Sequence, residues 1–111
     1  MKYHIRPSGD VLVIELSGPT WGTLAETQLK PEVSVALGMG RRRFVIDFTS
    51  VSFITSMGLG VIVACWVSIG QAGGALRVCG LSPRVLALFA VSGVDKVLEI
   101  HPDLPSALSG F

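Results

Sequence analysis

The spacing of apolar and polar positions changes several times along the chain, and each change marks an element. "KYHIR" (2–6) and "VLVIEL" (11–16) read as two strands around the turn Pro7-Ser8-Gly9-Asp10, and Gly18-Pro19 ends the second. Thr23 with Glu26 three positions later makes a capping box, so a helix begins there. Pro31 removes a hydrogen bond and clashes with the preceding turn, which predicts a kink or a restart. The helix then continues to about Leu37 and stops at Gly38-Met39-Gly40. "RRFVIDF" (42–48) is a short, nearly continuous apolar strand, as expected where at least one face is covered.

A long helix follows from about Ser56 to Gln71, closed by Gly73-Gly74. Within it Leu59, Ile62, Val63, Trp66 and Ile69 recur at helical spacing and are assigned to the sheet side. Met57, Val61, Ala64, Val67 and Ser68 fall opposite. That outer side is mostly apolar, the pattern of a helix that is covered twice or forms an interface. "ALRVCG" (75–80) is the next strand, and Ser82-Pro83 is a start signal, with Ser as N-cap and Pro at the first helical position. The helix "PRVLALFAV" ends near Gly93, "KVLEI" (96–100) is a last strand, and "DLPSALSGF" a final weak helix. The order β-β-α-β-α-β-α-β-α implies parallel pairing with right-handed crossovers. The fold class is therefore α/β: one domain over residues 1–111, with a central mixed sheet of four to five strands flanked by about four helices.

Composition supports a single core. The chain has 111 residues, 50% apolar and 15% charged, enough for one domain and too few for two. A net charge of +1 gives no global attraction for nucleic acid or an anionic membrane. No charged residue lies between Asp47 and Arg77, but Thr and Ser residues on one side and Gly70 to Gly74 on the other break that stretch. The apolar piece left, Met57 to Ile69, is shorter than the about 20 residues of a membrane span, so no membrane insertion is expected. Cys65 and Cys79 are too few for a zinc site and read as buried hydrophobes of a reduced protein. "MKYHIRPSGD" lacks the apolar run of a signal peptide, so a cytoplasmic location is expected.

The catalytic inventory is thin. His4 and His101 have no nucleophile or carboxylate at a useful spacing. Ile54 stands where a nucleophile elbow around Ser56 needs glycine. "GLGVIV" has Val63 where a dinucleotide fingerprint needs its third glycine. Arg41–Arg43 read as a solvated strand entrance. The expectation is a protein that is not an enzyme and takes no metal and no cofactor. The strand-to-helix junction Thr55-Ser56-Met57-Gly58 is the one place with hydroxyls at a helix start, where free N–H groups and the dipole favour a negative group. A phosphate on Ser56 or Thr55 would be stabilised there, or one of the two hydroxyls simply caps the helix.

From Phe44 to Ile100 the chain carries a strand ending in Asp, the junction "FITSMGLG", Gly-Gly, a strand, Ser-Pro and a helix ending before Gly. This ordered set resembles the STAS domain of bacterial anti-sigma factor antagonists, over Tyr3 to about Leu108. The resemblance implies a partner, an anti-sigma factor or kinase-like regulatory protein, and a phosphoswitch. The family's junction usually reads D-S-S-G with the second serine as acceptor. Matched here, these positions are Thr55, Ser56, Met57 and Gly58, so Met57 stands at the acceptor and has no oxygen to phosphorylate. The Asp that commonly follows the glycine of the second strand is absent as well, since Pro19, Thr20 and Trp21 occupy that stretch. The expected function is constitutive docking through Thr55, Ser56, Met57, Gly58, Val61 and Ala64. The alternatives are a switch moved to Ser56, or a structural STAS subunit of a stressosome-like or membrane-transport complex, as a homodimer or larger assembly.

Overall fold

The computed structural model describes residues 2–111. In order the elements are β1 (Tyr3–Ser8), β2 (Val11–Trp21), a 3-10 turn (Leu24–Gln28), α1 (Leu29–Gly38), β3 (Arg43–Ile54), α2 (Ser56–Gln71), β4 (Ala75–Cys79), α3 (Pro83–Ser92), a second 3-10 turn (Val94–Lys96), β5 (Glu99–His101) and α4 (Leu104–Leu108). The five strands pair in the order β1-β2-β3-β4-β5. β1 and β2 form an antiparallel hairpin and the remaining pairs are parallel, so the sheet is mixed as expected.

Alternation along the strands divides the core in two. One face carries Leu12, Ile14 and Leu16 of β2, Phe44, Ile46 and Phe48 of β3, and Leu76 and Val78 of β4. Onto it α1, α2 and α3 bring Leu29, Val33, Ile62, Ile69, Val85 and Phe89. Phe48 and Phe89 meet edge to face with centroids 5.8 Å apart. The other face carries Val11, Val13, Val45 and Cys79 beneath Ala107 of α4. Arg77 clasps this last segment: its Nη1 donates to the carbonyls of Ala107 and Ser109, and its guanidinium lies 4.2 Å from the Phe111 ring centroid.

Four element boundaries depart from the sequence reading. The α-helix restarts at Leu29, two residues before Pro31, which places the proline in the first turn where its missing N–H has no partner to lose. β2 and β3 both run past their expected ends, because Ser17–Trp21 and Ser50–Ile54 pair with each other beyond a bulge between Glu15 and Ser17. Gly18 sits there at φ +104, a backbone angle that favours glycine. β5 begins only at Glu99, since Val94–Lys96 turns as 3-10 helix. Among the described residues no helix is long and apolar enough to cross a membrane.

Candidate functional site

The long tails of β2 and β3 end side by side at Trp21 and Ile54, and α2 starts at Ser56 with Thr55 alone between. Thr55 has extended backbone and caps the helix: its Oγ1 accepts the Gly58 N–H at 3.0 Å and donates to the Gly22 carbonyl at 2.7 Å. Its own N–H donates to the Trp21 carbonyl at 2.9 Å. The hydroxyl expected as a candidate phosphate acceptor is thus fully engaged in holding α2 against the end of β2.

That contact is close because two glycines cross. A Cβ built on Gly58 would lie 2.9 Å from both the Gly22 Cα and the Trp21 carbonyl oxygen, and 2.8 Å from Ile54 Cγ1. A Cβ on Gly22, whose φ is +113, would lie 2.5 Å from the Gly58 Cα. Glu26 locks the Gly22 side. This carboxylate, 2% exposed, accepts the N–H groups of Gly22 and Thr23 at 3.1 and 3.0 Å and the Thr23 hydroxyl at 2.7 Å. Burial alone would raise its pKa, but the hydrogen bonds from Thr23 and Gly22, with the Lys2 charge nearby, hold it below the ordinary glutamate value.

Ser56 and Met57 occupy the first two helical positions, and both are exposed, Met57 to 50%. No acidic residue lies in the first turn of α2, so the positive end of the helix dipole is uncompensated. Further along, Gly60 and Val67 are exposed and Ala64 is half-buried, which gives an uncharged outward stripe at helical spacing. Leu24, 76% exposed, sits on the 3-10 turn that packs beside α2.

Val61 does not belong to this surface. Expected outward, it is 8% exposed and packs in the core with Gly58, Ile62, Cys65 and Ile69 as the buried arc of α2. The helix is rotated relative to the sequence assignment because α2 packs against α1 as well as the sheet, and the Gly22–Gly58 crossing fixes its first turn. Leu59, Val63 and Trp66, expected at the centre of the buried face, lie at its half-buried margin. Gly22 and Glu26 join the site without being among the site residues the sequence singles out. The capping box was the available signal for Glu26, while nothing local marks Gly22.

The remaining chemistry-bearing residues are dispersed. His4 is exposed on β1, whereas His101 sits on β5 with Nε2 3.4 Å from Glu99. The thiols of Cys65 and Cys79 are buried and pushed up to about 12, by burial in both cases and for Cys79 also by the neighbouring Asp47. Among the described residues no group of three or more His, Cys, Asp or Glu is placed to hold a metal ion.

A mixed five-stranded sheet with three helices on one face, and a helix start exposed at the end of the long central strands, defines an α/β domain that presents the head of α2 at its surface. The chain belongs to the STAS domain family, whose sequence model matches residues 3–107. It is similar to a proposed anti-sigma factor antagonist, BtrV, of Bordetella bronchiseptica, with 29% identity over all of this chain and 95% of that protein. A segment covering 50% of the chain is 42% identical to 48% of the anti-sigma-B factor antagonist of Listeria monocytogenes. The fold matches the crystal structure of a proposed anti-sigma factor antagonist from Thermotoga maritima with a TM-score of 0.82, at 22% identity, over 96% of this chain and 91% of that one.

Proposed function

We propose that this STAS domain acts in the cytoplasm as an anti-sigma factor antagonist that binds an anti-sigma factor or kinase-like regulator through the surface at the start of α2, without a phosphoswitch at the usual position. The observation that supports this most is Met57: half-exposed, at the second helical position, and matched to the acceptor serine of the family's junction. A methionine there offers an adaptable apolar contact and no hydroxyl. Ser56 and the uncharged stripe through Ala64 and Val67 extend the contact, and Leu24 borders it. Thr55 and Gly58 act beneath it, positioning the helix, and Val61 takes no part.

The test uses Met57→Asp and Met57→Ser, each titrated calorimetrically against the purified cognate anti-sigma factor. Met57→Asp should retain the fold and lose at least about tenfold in affinity, because a charge would be desolvated in an apolar contact. Met57→Ser should gain one phosphate on incubation with the kinase and ATP, as read by intact mass, while the native protein gains none. An unchanged affinity for Met57→Asp would place docking elsewhere. Ser56 keeps a second reading open, since its exposed hydroxyl has no hydrogen-bond partner among the described residues. Stoichiometric phosphate on the native chain, lost in Ser56→Ala, would move the switch one residue upstream.

A further inference from the structure

The opposite end of the sheet carries a second surface of different character. β2 and β3 begin there at Val11 and Arg43, on the order of 30 Å from the α2 start at about 3.3 Å per residue. Between the β1–β2 hairpin and α1 runs a groove of about 520 Å³ whose apolar lining is Ile5, Leu12, Pro31, Val35, Ala36 and Met39. Adjoining it is a cavity of about 550 Å³ bounded by Arg41, Arg42 and Arg43 on one side and the Gly9-Asp10 turn on the other. Met39, 81% exposed, borders both. Both are open depressions, so a ligand seated there would keep one side in water.

We propose that groove and cavity together bind a single-chain amphiphile with an anionic head, a fatty-acid-like carboxylate or an alkyl phosphate monoester, the chain along α1 and the head on the arginines. The three guanidinium groups are not equivalent. Arg42 is committed to the end of α1, its Nη1 donating to the carbonyls of Leu37 and Arg41 at 2.9 and 2.7 Å. Arg43 has only a loose pair with Asp10 at 3.9 Å, both side chains well exposed. The half-buried Arg41 has no side-chain partner among the described residues. Two planar cationic forks are thus available, in a shape that matches carboxylate or phosphate.

The N–H groups of Gly40 and Arg41 are bound to the carbonyls of Leu37 and Ala36, so recognition falls to the side chains. On the apolar side Val35 and Met39 are 63% and 81% exposed, and a chain laid along α1 would cover both. An acidic peptide fits less well. Its backbone would bring polar groups into a groove whose polar lining is Gln28 and Glu32, and Glu32 already accepts the Tyr3 hydroxyl.

The test titrates the full chain with dodecanoate and dodecyl phosphate below their micellar concentrations, followed by amide chemical shifts and calorimetry. Inorganic phosphate, dodecyltrimethylammonium and phosphatidylglycerol vesicles are run beside them. Saturable one-to-one binding of the anionic amphiphiles, with shifts at Val35, Met39 and Arg41–Arg43, is the expected result. Arg41→Glu with Arg43→Glu, and separately Val35→Asp, should each weaken it at least about tenfold. Absence of saturable binding overturns the proposal. So does equal affinity for the cationic detergent, or equal affinity for inorganic phosphate, since either shows that one half of the site is not read. Vesicle capture without binding of the monomers assigns the surface to a membrane instead. Because the head-group series is measured on the native chain, it decides the matter even if a variant does not fold.

Discussion

Replacing Gly58 with alanine adds one methyl group at the point where α2 crosses the end of β2. In most helices that change is favourable, by up to about 1 kcal/mol. Here the new carbon would sit 2.9 Å from the Gly22 Cα, 2.9 Å from the Trp21 carbonyl oxygen and 2.8 Å from Ile54 Cγ1. Two of those three neighbours are backbone atoms, which cannot rotate away. Overpacking of this kind costs about 1–3 kcal/mol, and more where neither side can move, so the net effect is a loss of about 1–2 kcal/mol.

Gly60, two residues along the same helix, supplies the control, because a Cβ there would meet nothing within 4 Å. Gly60→Ala should therefore gain about 0.5–1 kcal/mol. Urea unfolding followed by tryptophan fluorescence, from the fully buried Trp21 and the half-buried Trp66, reads both. At a slope of about 1–3 kcal/mol per molar, the Gly58→Ala midpoint should fall by roughly 0.5–1 M and the Gly60→Ala midpoint should rise. If both alanines raise the midpoint, helix propensity governs both sites and the tight crossing is refuted.

Ile62→Ala, at a fully buried position of the same helix, should cost about 2–5 kcal/mol in the same assay, whereas Leu59→Ala, at the margin, should cost clearly less. Glu26 makes stability depend on acid. Its folded pKa lies below the unfolded one, so the unfolded chain binds the proton first, and the stabilisation present above about 4.5 is lost as pH falls through the folded value. Glu26→Gln should be less stable than the native chain at neutral pH and flatter in its acid-side profile, and an unchanged profile would show that this carboxylate is not the group responsible. Cys65 and Cys79, with thiols pushed up to about 12, should resist a disulfide reagent at pH 8 until urea unfolds the chain. Rapid reaction under native conditions would contradict their burial.

What the sequence disclosed, and what it concealed, follows from the range of the interactions involved. Ser82 marks the start of its helix in the sequence because its cap is a contact three residues long, and the caps by Thr55 and Asp103 have the same span. The α2 limits, Ser56 and Gln71, were legible for the same reason. The ends of β2 and β3 were not, since Gly18-Pro19 and the hydroxyl-rich "TSVS" look like breakers until each is paired with the other across the sheet. The buried arc of α2 was misplaced because Gly58 and Cys65, two of its small members, add little to an apolar periodicity. Val61 was consequently read as a contact residue when it is a core residue. Met57 was visible as an anomaly in the junction, whereas the arginine cavity was not. Arg41–Arg43 become a site only when the chain brings the Gly9-Asp10 turn and the end of α1 beside them.

The crossing of Gly22 over Gly58 also bears on the speed of recognition. A partner docking as proposed at the head of α2 would meet a backbone already held by the hydrogen bonds of Thr55 and Glu26, which lowers the ordering cost of contact. Encounter would then be governed by diffusion and orientation, in the range of about 10⁵–10⁷ M⁻¹s⁻¹. On the proposed docking surface, differences in lifetime between rival partners would then rest on the side chains at Ser56 and Met57, since Thr55 and Glu26 hold the backbone beneath them.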